Sequence, residues 1–310
     1  MSLGELIMSL VLVTRDEQVP SVALLTMNKA ESMNSYNMEL HSALLETIQA
    51  ADKDPSVRVI VVTGAGRAFC AGADISGGFG GANLDSGMGV DAVNGVNRDA
   101  GGILNLAIFE CDTPIIAAIN GAAVGIGATM TLAMDLRIAS KKSKFAFPFA
   151  RRGIVFDGAA SWFLPRLVGF AKANEWILKG QIMMAQELYD GGLISELCEP
   201  EDVLPRSLEV ARDIAVNCSP TSVSNNKQLL RASMLALTSG VVTSGLGYVI
   251  WYMALKDLTA IRAGIAQLTV PVIAAIGGMI FISEPMTWRF TITALVILGG
   301  VGVATMTKSS

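Results

Sequence analysis

The segment Pro114-Ile-Ile-Ala-Ala-Ile-Asn-Gly-Ala-Ala-Val-Gly-Ile-Gly127 joins a short apolar run to a glycine-rich turn. An apolar run of this length predicts a buried β-strand, and the glycines after it predict a tight turn. The same order occurs upstream, where a strand predicted over Val57–Val62 ends at Gly64-Ala-Gly66. Segments with helical spacing separate these strands, and strands that alternate with helices indicate an α/β domain.

Further predicted elements extend this alternation in both directions. Two short strands are predicted between Val11 and Met27, and a short helix over Ile103–Phe109. Gly77–Gly102 is predicted to be a loop, because it is too polar and too rich in glycine to hold a core. Apolar residues at helical spacing predict further helices over Met38–Ala51, Ala128–Met134, Ala159–Leu167, Ala171–Leu178 and Val203–Val216.

Charged residues are distributed unevenly along the 310 residues. They make up 16% of the chain, and only six of them lie in the 78 residues from Ser233 onward. Three segments there carry no charge, namely Ser233–Leu255, Ala263–Ser283 and Phe290–Thr307. About 20 apolar residues suffice for a helix to span a membrane. We therefore expect a globular domain over residues 1–232 and an all-α tail of three transmembrane helices over 233–310, with buried helices of a soluble domain as the alternative.

Composition excludes several classes of function. The formal net charge of −4 argues against a basic surface for nucleic acid. The four cysteines show no CxxC spacing and are expected to be buried thiols, and His41 is the single histidine, so neither a metal site nor a Ser-His-Asp triad is predicted. The first thirteen residues do not have the pattern of a signal peptide, which predicts a cytoplasmic catalytic domain.

Two glycine-rich stretches invite comparison with nucleotide-binding loops. Gly64-Ala-Gly66 and Gly125-Ile-Gly127 each lack the third glycine of a dinucleotide site, and neither is followed by the lysine of a phosphate loop. Such turns have a different use, in which backbone N–H groups face an oxygen that becomes negative during a reaction. Ala71-Gly-Ala-Asp-Ile75 and Gly125-Ile-Gly127 qualify, and plain turns are the alternative.

Several motifs, taken in order, resemble the crotonase (enoyl-CoA hydratase/isomerase) superfamily over about Leu12–Ser233. The resemblance implies a spiral of ββα repeats that assembles into trimers or hexamers and acts on acyl-CoA thioesters. Coenzyme A then enters as part of the substrate, and no separate cofactor is implied. The motifs are Ala68-Phe-Cys-Ala-Gly-Ala-Asp-Ile75, Pro114 to Gly127 as quoted above, Leu132-Ala-Met-Asp-Leu-Arg-Ile138, Leu164-Pro-Arg-Leu-Val-Gly169 and Ala185-Gln-Glu-Leu-Tyr-Asp-Gly-Gly-Leu193.

The resemblance also implies site residues. The backbone N–H groups of Ala73 and Ile126 match the pair that holds the thioester oxygen, although the family usually has glycine where Ile126 stands. The positions that line the path of coenzyme A or the acyl group are Met33, Ala71, Asp74, Ile75, Gly125, Phe149 and Trp162.

The acid/base residue is the third element that the resemblance implies. Hydratases of this family use two glutamates, and the matching positions hold Thr129, expected to be structural, and Phe149. The segment Arg151–Pro165 instead resembles the single-carboxylate isomerases, with Asp157 as the catalytic carboxylate. Phe156 stands where that pattern usually has proline. Phe149, Phe156 and Trp162 are expected to raise the pKa of Asp157 by excluding water. The alternative is that Asp157 caps the helix that follows it.

These expectations combine into an enoyl-CoA isomerase, with an enoyl-CoA hydratase as the first alternative. The tail resembles the last three helices of an EamA-type drug/metabolite transporter half, which would make membrane lipid a partner. Three helices cannot enclose a substrate path, so no transport is predicted. Because the family usually continues with about 30 more residues of helix after Ser233, a fusion with impaired activity is expected, and an inactive membrane-anchored protein that binds acyl-CoA is the second alternative.

Overall fold

The computed structural model describes residues 10–74, 91–93 and 96–234. The chain divides after Ala232 into two units. The predicted membrane tail therefore lies outside the described residues except for its first two. No helix within the described ranges is long and apolar enough to cross a membrane.

Twelve strands and eight helices follow one another along the described residues. The strands are β1 (Val11–Arg15), β2 (Val22–Met27), β3 (Val59–Gly64), β4 (Ala68–Cys70), β5 (Asp91–Val93), β6 (Val96–Arg98), β7 (Ile115–Ile119), β8 (Ala122–Val124), β9 (Leu136–Ser140), β10 (Lys144–Ala146), β11 (Ile182–Met184) and β12 (Glu196–Cys198). The helices are α1 (Met38–Lys53), α2 (Ala100–Glu110), α3 (Ile126–Thr129), α4 (Ala160–Val168), α5 (Phe170–Lys179), α6 (Ala185–Asp190), α7 (Val203–Asn217) and α8 (220–234).

Most of the strands form two sheets. The larger sheet has the order β1-β2-β3-β7-β9-β12, in which β1 and β2 are antiparallel and all later neighbours are parallel. The smaller sheet has the order β11-β10-β8-β4, in which β4, β8 and β10 are parallel and β11 is antiparallel to β10. The alternation of parallel strands and helices confirms the predicted α/β class.

Both faces of the larger sheet are covered, which explains why β3 and β7 are continuous apolar runs. Side chains alternate between the two faces of a strand. Val59, Val61 and Ile116 pack with residues of α7 on one face. Ile60 and Val62 belong on the other face to the main core, which also contains residues of α1 and α2.

The predicted strands between Val11 and Met27 and the strand after Pro114 are confirmed, as are the helices that correspond to α1, α4, α5 and α7. The loop predicted over 77–102 is wrong at its C-terminal end. Strands β5 and β6 form a hairpin there, and α2 begins at Ala100 because the carboxylate of Asp99 caps it, accepting the N–H of Gly102 at 2.8 Å. The single helix predicted over Ala128–Met134 is α3 followed by a 3-10 turn. The expectation of four buried cysteines is wrong for Cys218, which is exposed.

The part of helix α8 that belongs to the first unit is held against the rest of that unit by its basic side chains. The ammonium of Lys227 lies 2.7 Å from Oδ2 of Asp135 and donates to the carbonyl oxygen of Thr113 at 3.1 Å. Arg231 pairs with Asp112 at 2.5 Å and donates to the carbonyl oxygen of Phe109 at 2.6 Å. These partners lie in the last turn of α2, in the segment that follows it and directly before β9.

A buried arginine joins the segment after α3 to the larger sheet. The guanidinium of Arg137, on β9, donates to the carbonyl oxygens of Leu193 at 2.7 Å, Met134 at 2.6 Å and Thr131 at 3.0 Å. Arg137 is only 7% exposed. Its charge is therefore neutralised by backbone dipoles rather than by water.

We predict that Arg137→Leu destabilises the fold by about 3 kcal/mol, because it leaves several buried carbonyl oxygens without a donor. Arg152→Leu, at an exposed position, is the matched control and should change stability by less than about 0.5 kcal/mol. Urea unfolding of the full-length protein measures both. Equal stabilities of the two variants would contradict this role of Arg137.

Candidate active site

The two loops that were predicted to present N–H groups lie at the same edge of the smaller sheet. Strands β4 and β8 are parallel neighbours, with Cys70 paired to Ala123. Residues 71–74 follow β4, and residues 125–127 follow β8. Because the carboxyl ends of parallel neighbours meet at one edge, the two loops adjoin each other.

Glycine at position 127 allows α3 to lie directly on the end of β4. A Cβ atom at Gly127 would lie 2.1 Å from the carbonyl oxygen of Cys70, which is closer than any side chain tolerates. This contact fixes the distance between the loop after β4 and the first turn of α3.

The loop after β4 is held by the segment before α1. Tyr36 donates its N–H to the carbonyl oxygen of Gly72 at 2.8 Å and accepts the N–H of Asp74, also at 2.8 Å. The N–H of Ala71 is bonded to the carbonyl oxygen of Met33 at 3.0 Å. Ala73 lies between these bonds and is exposed. Its own N–H has no acceptor among the described residues.

The turn after β8 presents a second unpaired N–H. Gly125 adopts a φ of 54° and a ψ of −124°, and its carbonyl oxygen accepts the N–H groups of Ala128 and Thr129, both at 2.9 Å. These bonds start α3 at Ile126. The N–H of the first residue of a helix has no partner inside the helix, and no other described residue accepts that of Ile126.

The carboxylate of Asp157 is bound to the other end of the same helix. The hydroxyl of Thr129, the last residue of α3, donates to Oδ1 of Asp157 at 2.8 Å. Thr129 is completely buried and Asp157 is partly buried. Thr129 was expected to be structural, and its hydroxyl binds the candidate acid/base group.

The alternative prediction, that the side chain of Asp157 caps the helix after it, is wrong. Helix α4 begins at Ala160 after Ala159, and no side chain donates or accepts a capping hydrogen bond there. Asp157 contributes only its backbone carbonyl oxygen, which accepts the N–H of Ala160 at 3.0 Å. Its carboxylate instead accepts the hydrogen bond from Thr129.

Two residues that sequence reasoning missed surround the peptide after Asp157. The N–H of Gly158 donates to Oδ1 of Asp99 at 3.1 Å, and its carbonyl oxygen accepts the amide of Asn105 at 2.5 Å. Asp99 has a local signal, because aspartate favours the position before a helix. The sequence signal of Asn105 is weaker, because it is only that of a polar residue in an otherwise apolar helix. Neither signal reveals a partner more than 50 residues away.

Burial raises the pKa of Asp157 to about 6. The hydrogen bond from Thr129 acts in the opposite direction, and the negative charge of Asp99 raises the pKa further. A carboxyl group with this pKa exists in both protonation states near neutral pH, so that it can take up a proton and release it again.

The other predicted residues are distributed around these groups. Phe149 is buried, with its ring 4.0 Å from the place that a Cβ at Gly125 would occupy. The sulfur of Met33 lies 3.4 Å from the guanidinium of Arg67. Asp74 is exposed beside the hydroxyl of Ser35. Ile75 lies outside the described residues.

Trp162 lies in an aromatic cluster. Its ring packs edge-on against Phe109 and Phe163, at centroid distances of 5.3 and 4.8 Å, and the guanidinium of Arg166 lies 4.4 Å above it. Phe156 is partly buried and packs against the main core. Phe149 and Phe156 were predicted to exclude water from Asp157; Phe149 is buried and Phe156 is partly buried. The ring of Trp162 contacts those of Phe109 and Phe163.

Two family models match the sequence. The model described as Enoyl-CoA hydratase/isomerase matches residues 17–241, and that of the EamA-like transporter family matches residues 215–306. Among curated proteins, the chain is similar to the enoyl-CoA hydratase ACTT3 of Alternaria alternata, with 42% identity over 69% of this chain and 70% of that protein. It is also similar to the 1,2-epoxyphenylacetyl-CoA isomerase of Escherichia coli, with 33% identity over 63% of this chain and 72% of that protein.

Solved structures have the same fold. A probable enoyl-CoA hydratase/isomerase from Mycobacterium abscessus superposes with a TM-score of 0.64 and 34% identity, covering 79% of this chain and 90% of that one. A monofunctional enoyl CoA isomerase from M. smegmatis gives a TM-score of 0.60 and 31% identity, covering 73% of this chain and 94% of that one.

The raised pKa of Asp157 predicts a specific dependence of stability on pH. In the unfolded chain this carboxyl ionises near its ordinary pKa of 3.8, whereas in the folded protein it ionises near pH 6. The folded state therefore binds more protons between these values, and the free energy of unfolding falls as the pH rises through them. By pH 7 this contribution amounts to at most about 3 kcal/mol.

We expect Asp157→Asn to be more stable than the parent protein at pH 7, with the difference disappearing toward pH 4. Asp190→Asn, at an exposed position, is the matched control and should show no such trend. Urea unfolding at pH 4, 5, 6 and 7 measures the difference. A difference that does not depend on pH would contradict the raised pKa.

Proposed function

This chain belongs to the enoyl-CoA hydratase/isomerase family, and we propose that it is an enoyl-CoA isomerase that works through an enolate. The observation that carries the proposal is the pair of unpaired N–H groups at Ala73 and Ile126 beside a single carboxylate of raised pKa, Asp157. The substrate class is a thioester of coenzyme A with a double bond in its acyl chain.

In this proposal the N–H groups of Ala73 and Ile126 donate to the carbonyl oxygen of the thioester. Backbone donors that are already fixed by hydrogen bonds need no reorganisation when negative charge develops on that oxygen. The bonds of Gly72 and Asp74 to Tyr36 hold one donor, and the bonds to the carbonyl oxygen of Gly125 hold the other. Polarising the thioester makes the proton on the adjacent carbon more acidic.

The carboxylate of Asp157 removes that proton. The electron pair of the broken C–H bond passes into the thioester and forms the enolate, whose oxygen is stabilised by the two N–H groups. Protonated Asp157 then returns the proton to the far carbon of the conjugated system, and the electrons return to form the new double bond. One carboxyl group thus completes the shift without any net gain or loss of protons.

Substrate binding is proposed from the same geometry. Ala71 and Asp74 lie on the loop that would follow the coenzyme A chain, and Ile75 continues it in sequence. Met33 adjoins this loop, because its carbonyl oxygen accepts the N–H of Ala71. Gly125 and the ring of Phe149 form an apolar surface beside the second N–H group. Trp162 is included among the proposed substrate-binding residues. Its ring packs against that of Phe109 in the aromatic cluster.

Hydration of a 2-enoyl-CoA is a second candidate function, favoured by one observation. Addition of water requires one group that removes a proton from the water and one that donates a proton to the carbon next to the thioester. Two carboxylates are present here. Asp99 and Asp157 are joined through the peptide of Gly158, and the charge of Asp99 acts on Asp157. The name of the Alternaria relative agrees with this reaction.

We predict that the full-length protein in detergent converts 3-enoyl-CoA to 2-enoyl-CoA, and that deuterium from heavy water enters the acyl chain to the extent that the proton held by Asp157 exchanges with solvent before it is returned. Asp157→Asn should lower kcat by about 10³-fold, because it removes the acid/base group. In the parent protein kcat/KM should fall below about pH 6, as Asp157 becomes protonated. Mass spectrometry of the products measures turnover and deuterium incorporation.

Asp190→Asn should retain the parent rate and exclude a nonspecific effect of charge removal. Turnover retained in Asp157→Asn would remove that residue from the mechanism. Addition of water to crotonyl-CoA without any shift of 3-enoyl-CoA would replace isomerisation by hydration. Binding of both esters without turnover of either would favour the inactive acyl-CoA-binding protein.

A further inference from the structure

We propose that Thr129 and Asn105 are positioning residues, which hold the carboxylate of Asp157 at a fixed place relative to the N–H of Ile126. The kinetic consequence rests on the proposed function, whereas the placement of the carboxylate does not. Neither residue can act as an acid or base near neutral pH. Their contribution lies in where they hold other groups.

Thr129 directs its hydroxyl at the carboxylate. The distance from Oγ1 to Oδ1 of Asp157 is 2.8 Å, whereas the nearest alternative acceptor, the carbonyl oxygen of Ile126, is 3.5 Å away. Thr129 is completely buried. Since no solvent competes for its proton, the hydroxyl stabilises the ionised form of Asp157 and fixes the rotamer of that side chain.

Asn105 joins the two backbone segments on which this contact depends. Its side-chain N–H₂ group donates to the carbonyl oxygen of Thr129 at 2.9 Å and to that of Gly158 at 2.5 Å. One amide therefore connects the last residue of α3 to the residue after Asp157. A flipped amide would place its oxygen against both carbonyl oxygens, so the orientation is determined.

The cost of this arrangement indicates that stability alone does not explain it. Asn105 is completely buried, and its Oδ1 atom has no hydrogen-bond partner among the described residues. An unpaired buried acceptor destabilises a fold by about 1–3 kcal/mol. An apolar side chain would avoid that cost but could not donate to the two carbonyl oxygens.

Helix α3 connects the hydrogen bonds of Thr129 and Asn105 to the N–H group that would bind the thioester oxygen. Ile126, whose N–H faces the proposed thioester oxygen, is the first residue of α3, and Thr129 is the last. A helix rises about 1.5 Å per residue, so the two lie within about 5 Å of each other along its axis. The same short helix therefore determines the position of both the oxyanion donor and the contact to the base.

Gly158 shows how closely the network is packed. It has a φ of 63°, and a Cβ atom there would lie 2.8 Å from the hydroxyl of Thr129 and 2.9 Å from the amide nitrogen of Asn105. The space between the three groups admits no side chain. Movement of Asp157 away from α3 would require at least one of the two hydrogen bonds of Asn105 to break.

The experiment titrates Asp157 directly by ¹³C NMR of the full-length protein, with the resonance assigned from its absence in Asp157→Asn. Thr129→Val removes the hydroxyl and keeps the shape. It should raise the pKa of Asp157 by about one pH unit, because a hydrogen bond to the ionised form is lost. Thr129→Ser should restore a value near that of the parent.

The chain offers a matched control for each position. Thr131 is also buried, and its hydroxyl donates to the carbonyl oxygen of Ala128 at 2.8 Å, so Thr131→Val should leave the titration of Asp157 unchanged. Asn120 also donates to two carbonyl oxygens, those of Gly64 and Gly66, both at 2.9 Å. Asn105→Ala should lower kcat by about 10–100-fold with KM changed less than about threefold, whereas Asn120→Ala should lower only the unfolding temperature.

The outcomes separate the positioning role of Thr129 and Asn105 from the proposed isomerase function. Identical Asp157 titrations in Thr129→Val and Thr131→Val would overturn the positioning role, and so would equal kcat values in Asn105→Ala and Asn120→Ala. If the parent protein is inactive but Thr129→Val still shifts the titration, the proposed function fails and the placement of the carboxylate stands. A Thr129→Val variant that does not fold leaves the comparison of Thr129→Ser with the parent, in which a pKa that rises by as much as one unit would contradict the proposal.

Discussion

The contact between Gly127 and the carbonyl oxygen of Cys70 is the constraint on which the site depends. It brings α3 onto the end of β4 at a distance that excludes any side chain. The N–H of Ile126 and the N–H of Ala73 are thereby placed at one edge of the smaller sheet. Both remain unpaired among the described residues, and Ile126 is buried, where an unpaired backbone N–H is unusual. Such a cost is typical of groups that await a ligand.

The carboxylate of Asp157 is governed by opposing effects. Burial and the charge of Asp99 favour the protonated form, whereas the hydroxyl of Thr129 favours the ionised form. The balance gives a pKa near the range in which a base for an α-proton works best. A fully exposed aspartate would be a weaker base, and one without Thr129 would be less often ionised. The environment thus gives Asp157 the raised pKa that the proposed proton transfer requires.

The two family matches overlap over residues 215–241, and the described part of α8 lies within that overlap. In the described residues, Lys227 and Arg231 of α8 pair with Asp135 and Asp112, all within the first unit. The sequence continues from a helix that is bound to the enzyme fold into a segment similar to a transporter family. The acyl-CoA chemistry proposed here depends only on residues before that helix.

The sequence by itself determined the class of fold and the candidate groups. The continuous apolar runs of β3 and β7, the helical spacing in α1 and α7, and the glycines after β4 and β8 are local patterns, because each reflects the sequence of a single element. The resemblance to a family located Asp157. Only the tertiary structure decided its partners, since Thr129 lies 28 residues away and Asn105 meets Gly158 across 53 residues. Local periodicity records which side chains are buried, but the pairing of buried polar groups depends on how distant elements dock.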